Sequence, residues 1–369
     1  MLNVGIIGTG VIFDLHILGY LNNTDAKVIA LCNRTIEKAR EKIQKFKLDE
    51  NIQIYSDYKE MLDNEVLDIV EILTPHHLHA EMTIYAANKG VKAISVQKPM
   101  ALSLKEADDM INACTDNGSI LSVFENFFFA PHIMKAKALL DEDYIGEIAS
   151  IRIKVAIGTK GGWEVPKSAN AWRRDPKQIG GSKNGSPILF DNGWHAFALG
   201  YWIFNEEIEK VFAWTDSFSG IDAPAYVMWK CKEKEEHLVP KYGNMEFALM
   251  PEMKIPSKYY PTDEFIEIIA SRGLMKINQG TSIGNKMSSS EVFAPIVIVR
   301  DGKVETITEF EKDWNRSFIN ATKYFIEVVK NGKTPILSGE QARAILKFNL
   351  AAINSSELGK EIYLSDLYQ

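Results

Sequence analysis

Val4-Gly5-Ile6-Ile7-Gly8-Thr9-Gly10-Val11-Ile12-Phe13 decides the fold of this chain. An apolar, β-branched run ends in a Gly-Thr-Gly turn. It leads into Ile12, Leu15, His16 and Gly19, which are spaced as on one helix face. The order is strand, tight turn, helix. The first glycine of such a turn permits the bend, the second lets a pyrophosphate approach the backbone, and the helix N-terminus faces the phosphates. Gly8, Thr9, Gly10, Val11 and Ile12 are therefore read as a dinucleotide-binding turn, against the blander reading of a structural turn. Phe13 stands where the fingerprint has a third glycine or alanine, so the helix is expected to pack differently on the sheet there.

Outward from this turn, strands are expected at 27–32, 52–54, 68–73, 92–96 and 120–124, with helices at 36–46 and 78–88 and another opening at Ser103. Ser103 with Glu106 three residues later is a capping-box signature. This rhythm is βαβ architecture with a mostly parallel sheet. After residue 124 it changes. A helix at 131–140 precedes an alternating strand at 147–157 and a long aperiodic stretch, 158–187, of a length that marks a working loop. A helix at 193–204 follows. Strands at 208–217, 224–231, 243–250, 265–270, 273–277 and 295–299 then run without intervening helices, the pattern of an antiparallel sheet, and helices at 314–330 and 338–356 close the chain. The fold class is α/β: a parallel-sheet domain over 1–124, then an α+β domain over 125–369 with an open, mostly antiparallel sheet.

The 369 residues, 46% hydrophobic and 25% charged, suggest two globular domains. Lys plus Arg is 42 and Asp plus Glu is 49, a net charge of −7. That balance, with no basic tract, argues against a nucleic-acid partner. The three cysteines, Cys32, Cys114 and Cys231, cannot form a Cys-x-x-Cys pair or a disulfide framework. No apolar run reaches ~18 residues, so no membrane span is expected. The strand-like start leaves no room for a signal peptide, and a cytoplasmic protein is expected.

Asn33 and Arg34 end the second strand, where an NAD site usually places a carboxylate on the adenosine ribose. Asn33 lacks the charge that would repel a 2′-phosphate, and Arg34 has the chemistry to pair with one or to stack on the adenine. The cofactor is read as NAD or NADP, with NADP slightly preferred. A turn asparagine and a solvated arginine are the bland alternative.

Two further stretches, Thr74-Pro75-His76-His77-Leu78-His79-Ala80-Glu81 and Val96-Gln97-Lys98-Pro99-Met100-Ala101, make the chain resemble the Gfo/Idh/MocA family of NAD(P)-dependent oxidoreductases. The resemblance spans essentially the whole chain. It implies an N-terminal Rossmann domain and a second domain for substrate binding and oligomerisation, whose sheet pairs subunits as a homodimer or homotetramer, with the last helix packing back near the first domain. It also implies cofactor contacts from Thr74, Pro75, His76, His79, Gln97 and Lys98. Gln97 replaces the family's usual glutamate and keeps its length without its charge. The Lys98-Pro99 peptide reads equally as cis or as a trans turn. The family's second signature, an aspartate and a histidine four residues apart, matches Asp191 and His195 at a helix entrance. Ser182 to Pro187 is an insertion before it, and Trp172-Arg173-Arg174-Asp175 resembles the substrate loop.

The implied chemistry is hydride transfer between a nicotinamide and a secondary alcohol or carbonyl of a sugar, polyol or related carbohydrate. His195 is the natural general base, Lys98 orients the oxygen and is a rival base, and Asp191 orients the histidine or bonds to substrate. Lys160, Trp163, Trp172 and Arg173, with Lys98, Asp191 and His195, are the expected substrate contacts. Bland readings stand beside these: a helix cap for Asp191, a packed core ring for His195, a surface charge for Lys98. His16, His76, His77 and His79 form no convincing ligand triad, and no metal is expected. The alternatives in function are a non-catalytic dinucleotide-binding regulator and a sugar-transforming enzyme that keeps tightly bound NAD without net redox.

Overall fold

Six strands make the first sheet: β1 (Leu2–Ile7), β2 (Ala26–Cys32), β3 (Gln53–Tyr55), β4 (Ile69–Ile72), β5 (Ala93–Gln97) and β6 (Ile120–Phe124). Every pairing is parallel, in the order β3-β2-β1-β4-β5-β6. Val4, Ile6, Ile69, Val70 and Ile72 are fully buried, as strands covered on both faces require. The strand order reverses between β1 and β4, which opens the sheet's carboxyl edge there. Glu71 interrupts the apolar run of β4 and is itself buried.

This computed structural model describes residues 1–21, 23–160, 167–217, 221–255, 257, 259–279, 294–311 and 313–368. The chain divides into two compact units. The first holds Met1–Asn126, Val165–Gly180 and Ser317–Leu346; the second holds the remaining residues. Among the described residues, no helix is long and apolar enough to cross a membrane. The three cysteines are buried thiols, each pushed up to about 12, chiefly by burial.

The helix after the glycine turn is shorter than its periodicity suggests. It is α-helical over Phe13–His16 and tightens to a 3-10 turn over Ile17–Gly19. Phe13 is fully buried and meets Phe46 edge-on at 6.2 Å, so the missing third small residue is replaced by a packed ring. Gly19 lets helix Asn315–Asn331 approach: a Cβ there would lie 2.3 Å from that of Thr322. Ser103 caps helix Leu104–Asp116 as expected, its Oγ accepting from the Glu106 N–H at 3.2 Å. Glu106 reaches back to the Leu102 N–H at 2.8 Å, one residue beyond the cap.

The second sheet has nine strands: β7 (Ile148–Lys160), β8 (Ile208–Thr215), β9 (Ala225–Cys231), β10 (Tyr242–Lys254), β11 (Thr262–Ala270), β12 (Gly273–Gln279), β13 (Ile296–Arg300), β14 (Lys303–Ile307) and β15 (Ile362–Tyr363). Its order is β14-β13-β12-β11-β7-β10-β9-β8-β15. All pairs are antiparallel except the central β7 and β10, which run parallel because a long crossover separates them in sequence. Val227, Trp229, Met245, Phe247, Ile266 and Ile268 form the covered face. Helix Trp194–Phe204, apolar on all sides, is buried, with Phe197 stacked on Phe247 at 6.4 Å and edge-on to Phe348 at 4.8 Å. The other face leaves Trp214, Tyr226, Met228, Tyr242 and Met250 exposed.

The described parts of the stretch 158–187 hold more secondary structure than its composition suggests. β7 continues to Lys160, residues Lys167–Arg174 form 3-10 turns, and a short helix, Pro176–Ile179, starts at the Asp175 cap. Helix Tyr58–Asn64 and strand β14 are additions to the sequence reading. All but the last residue of β14 is exposed, so no alternation marks it.

Gly19→Ala is expected to lower the unfolding free energy by about 1–3 kcal/mol, the scale of overpacking a closed contact. Gly10→Ala, where an added Cβ meets nothing within 4 Å, should leave it unchanged. Urea unfolding of the two variants checks this; equal stability would mean that the contact at Gly19 is not tight in solution.

Candidate active site

In a parallel sheet the carboxyl ends of all strands lie on one edge. That edge carries Gly8 after β1, Asn33 after β2, Leu73 and Thr74 after β4, and Gln97 and Lys98 at β5. Gly8 has φ +103°, its N–H donates to the Cys32 carbonyl at 2.8 Å, and a Cβ would lie 2.7 Å from the Leu73 carbonyl oxygen. Only glycine suits that position. Gly10 differs: the space its Cβ would occupy is open. Between them Thr9 is buried, and its Oγ1 has no hydrogen-bond partner among the described residues. An open cradle at Gly10 beside an unsatisfied buried hydroxyl suits a dinucleotide pyrophosphate, so these residues fit the cofactor that the turn implies.

Asn33 closes the turn. Its Oδ1 accepts from the Thr9 N–H at 3.3 Å and its Nδ2 donates to the Thr35 carbonyl at 2.8 Å, while Arg34 is exposed. His79, fully buried, places Nδ1 2.8 Å from the Pro99 carbonyl and Nε2 2.9 Å from the Thr74 carbonyl. As a neutral ring it has one N–H, so it donates to one of these two carbonyls and packs against the other, between the segments after β4 and β5. Burial pushes its imidazole down to about 4, with the two carbonyls pulling the other way. His76 is also buried, with Nδ1 2.9 Å from the Ile179 carbonyl and its ring edge-on to Trp172 at 4.7 Å. Arg173 lies over the Trp172 ring at 4.4 Å. The first unit thus gathers Trp172 and Arg173 with Pro75 and His76. Lys98 is half-buried, and the Lys98-Pro99 peptide is cis. The Gln97 Oε1 accepts from the Lys98 N–H at 2.9 Å, and its Nε2 lies 2.8 Å from Nε2 of His16. The sequence places His16 on a helix face and among four histidines without a ligand triad, and gives no sign of this partner.

Asp191 and His195 belong to the second unit. Asp191 enters through a π-helical turn, Pro187–Asn192, and not through a regular α-helical one. The Ser186 carbonyl accepts from the N–H of both Phe190 and Asp191, at 2.9 and 3.3 Å. A Cβ on Gly193 would lie 2.5 Å from the Leu189 carbonyl oxygen, so glycine permits the join to helix Trp194–Phe204. The inserted Ser182 to Gly185 segment forms a tight turn closed by the Ser182 Oγ on the Gly185 carbonyl at 2.9 Å. Asp191 is buried; His195 is half-buried, with its ring 4.3 Å from that of Phe127. Lys160 is the last residue of β7, and Trp163 lies outside the described residues.

Two residues that no motif signals hold this turn. The Asp222 carboxylate accepts from the Ile188 and Leu189 N–H groups at 2.8 and 2.9 Å, and Asn349 Nδ2 donates to the Leu189 carbonyl at 2.8 Å. Burial pushes Asp222 up to about 6, opposed by the two amides and aided by the charge of Asp191. A lone aspartate and a helix asparagine, distant in sequence from the turn, carry no local sign of such a role.

Residues 2–125 match the oxidoreductase family with an NAD-binding Rossmann fold, and residues 133–234 match the GFO/IDH/MocA C-terminal domain. Together they cover more than half of the chain. The chain belongs to the Gfo/Idh/MocA family. A relative within it, myo-inositol 2-dehydrogenase of Thermotoga maritima, is 23% identical over 383 aligned positions, covering 99% of each chain. Levoglucosan dehydrogenase of Pseudarthrobacter phenanthrenivorans is 34% identical over 193 residues, 49% of this chain and 46% of that enzyme, so the match spans under half of that relative. In fold, the chain is similar to scyllo-inositol dehydrogenase from Lactobacillus casei, solved with NAD(H) and scyllo-inositol: TM-score 0.76, 16% identity, covering 99% of this chain and 100% of that one.

Asp222→Asn removes one of two acceptors facing buried N–H groups, and should cost about 1–3 kcal/mol. Because the folded pKa of Asp222 is raised from 3.8 to about 6, its proton-linked stability is full below 3.8 and is lost as pH rises through about 6. The variant should flatten that segment of the stability–pH curve. Denaturant unfolding between pH 4 and 7 checks both effects, and a curve parallel to wild type would refute the assignment.

Proposed function

We propose that this chain is an NAD(P)-dependent oxidoreductase that moves a hydride between a nicotinamide cofactor and a secondary alcohol, or the matching carbonyl, of a sugar, polyol or related carbohydrate. The open cradle at Gly10, beside a Thr9 hydroxyl with no hydrogen-bond partner among the described residues, carries this reading, in a chain of a family with an NAD-binding Rossmann fold. Gly8, Thr9, Gly10, Val11 and Ile12 would hold the pyrophosphate. Asn33 and Arg34 would take the adenosine end, where the missing carboxylate and the exposed guanidinium favour NADP slightly over NAD. Thr74, Pro75, His76, Gln97 and Lys98 would line the rest of the cofactor, with His79 holding the Thr74 and Pro99 segments in place.

When bound, the nicotinamide accepts or returns the hydride. His195 takes the hydroxyl proton in oxidation and returns it in reduction, its ring plane held against Phe127. Asp191 orients the histidine or binds a substrate hydroxyl. Lys98 orients the reacting oxygen and stabilises the negative charge that develops on it. Lys160, Trp163, Trp172 and Arg173 offer ring faces and positive charge to a carbohydrate. The exposed aromatic and methionine side chains on the open sheet suit a second copy of the chain, giving a homodimer or homotetramer in the cytoplasm. A monomer at all concentrations in sedimentation would remove that last proposal.

The test is cofactor reduction followed at the nicotinamide absorbance, with NAD+ and NADP+ in parallel, over a panel of inositols, aldoses and anhydrosugars, with product analysis. Net reduction with one substrate class supports the reading. Conversion without net reduction would favour tightly held NAD and a non-redox outcome, and binding with neither would favour a regulator. With the substrate in hand, His195→Asn should lower kcat by ~10²–10⁴ and remove the acidic limb of the kcat/KM profile. Retention of both would move the base to Lys98. Asn33→Asp should raise the ratio of NADP+ to NAD+ dissociation constants, and a fall in that ratio would contradict the adenosine-end placement.

A further inference from the structure

Beneath Lys98 the first unit carries a chain of buried polar groups. Glu71, in the middle of β4, is 1% exposed, and His16 is 0% exposed. His16 Nδ1 lies 2.7 Å from Oε1 of Glu71. His16 Nε2 lies 2.8 Å from Nε2 of Gln97, and Oε1 of Gln97 accepts from the Lys98 N–H at 2.9 Å. The direction of every bond follows from the last one. A backbone N–H only donates, so the Gln97 oxygen must face Lys98 and its NH₂ must face His16. An NH₂ group only donates, so Nε2 of His16 accepts and carries no proton. The remaining proton is on Nδ1 and is donated to Glu71. The imidazole is therefore neutral, in one tautomer, and the protons all point down the chain toward the Glu71 carboxylate. The ring packs against two aromatic neighbours, 4.0 Å from Phe124 and 5.3 Å from Phe318, centroid to centroid.

We propose that Glu71 and His16 are positioning residues that fix the Gln97 amide and, through it, the backbone at Lys98. A buried carboxylate is costly to keep, and a relay ending on the peptide of the proposed oxygen-orienting lysine gives it work that packing alone does not. The effect on turnover rests on the oxidoreductase reading above; the tautomer and the hold on the Lys98 N–H do not.

Two measurements separate these. In protein labelled with ¹⁵N-histidine, without cofactor at neutral pH, His16 should show Nδ1 protonated and Nε2 unprotonated; a proton on Nε2 overturns the relay. Amide hydrogen exchange at Lys98 should be at least 10-fold faster in Glu71→Leu, which removes the distant acceptor, and near wild type in Glu71→Gln, which keeps an acceptor oxygen. Should Glu71→Leu fail to fold, Gln97→Leu breaks the relay at a half-buried position and should speed exchange likewise. Unchanged Lys98 exchange in the folded leucine variant overturns the proposal. In turnover, Glu71→Leu should lose at least 10-fold in kcat with the dissociation constant of the cofactor that supports turnover within about 2-fold, and Glu71→Gln should recover most of the loss; Gln97→Leu, at a proposed cofactor contact, is read by Lys98 exchange alone. A loss confined to KM or cofactor affinity, or no rescue, counts against positioning. If wild type turns over no substrate, the oxidoreductase reading fails, while the tautomer and exchange results still decide the relay.

Discussion

A sheet buried on both faces has only its edges and strand ends for chemistry. In the first unit β1, β2, β4 and β5 run parallel, so their carboxyl ends come out together, and those ends with the turns after them carry every residue proposed to hold the cofactor. Nothing else in this unit could assemble them: Gly8, Asn33, Thr74 and Lys98 are spread over about ninety residues of chain. The tight approach of Gly8 to Leu73 shows how closely neighbouring strand ends meet, and it accounts for a glycine with positive φ at that point.

The same edge is held by polar side chains, the buried His79, Glu71 and His16 with the half-buried Asn33 and Gln97. His79 sits between a carbonyl of the segment after β4 and one of the segment after β5 and donates to one of them, and Asn33 ties the end of β2 to the glycine turn. The Glu71–His16–Gln97 chain reaches the same edge from within the sheet. Buried polar groups of this kind cost stability unless each is satisfied, and in return they fix orientation, which apolar packing does less sharply. The second unit follows the same logic with different parts. Its one-sided sheet buries helix Trp194–Phe204, and the π-helical turn before that helix is secured by Asp222 and Asn349.

Much of this was legible in the chain. The change from βαβ rhythm to runs of alternating strands gave both sheets, helix 36–46 stands where its amphipathic pattern placed it, and Ser103 caps a helix as its capping-box signature with Glu106 announced. The glycine turn announced itself because its residue types are demanded by local geometry. β14 was not legible, since exposed residues leave no alternation, and the order within 158–187 was hidden by a composition of glycine, lysine and tryptophan that fits many backbones.

Local rules operate within a few residues: 3.6- and 2-residue periods, caps, and glycines at forced dihedrals. They are written in neighbouring side chains, and so the sequence by itself determined the fold class, the turn and the candidate residues. The partners of buried polar atoms are chosen by the fold. Gln97 reads as a weakened glutamate until His16 is found 2.8 Å from its nitrogen, 81 residues away in the chain. Asp222 carries no local sign of a role, and its carboxylate is found on two amides of the Asp191 turn. A hydrogen bond requires contact within about 3 Å and an angle to match, and no spacing rule in one dimension supplies either, so only the tertiary structure could decide what those side chains hold.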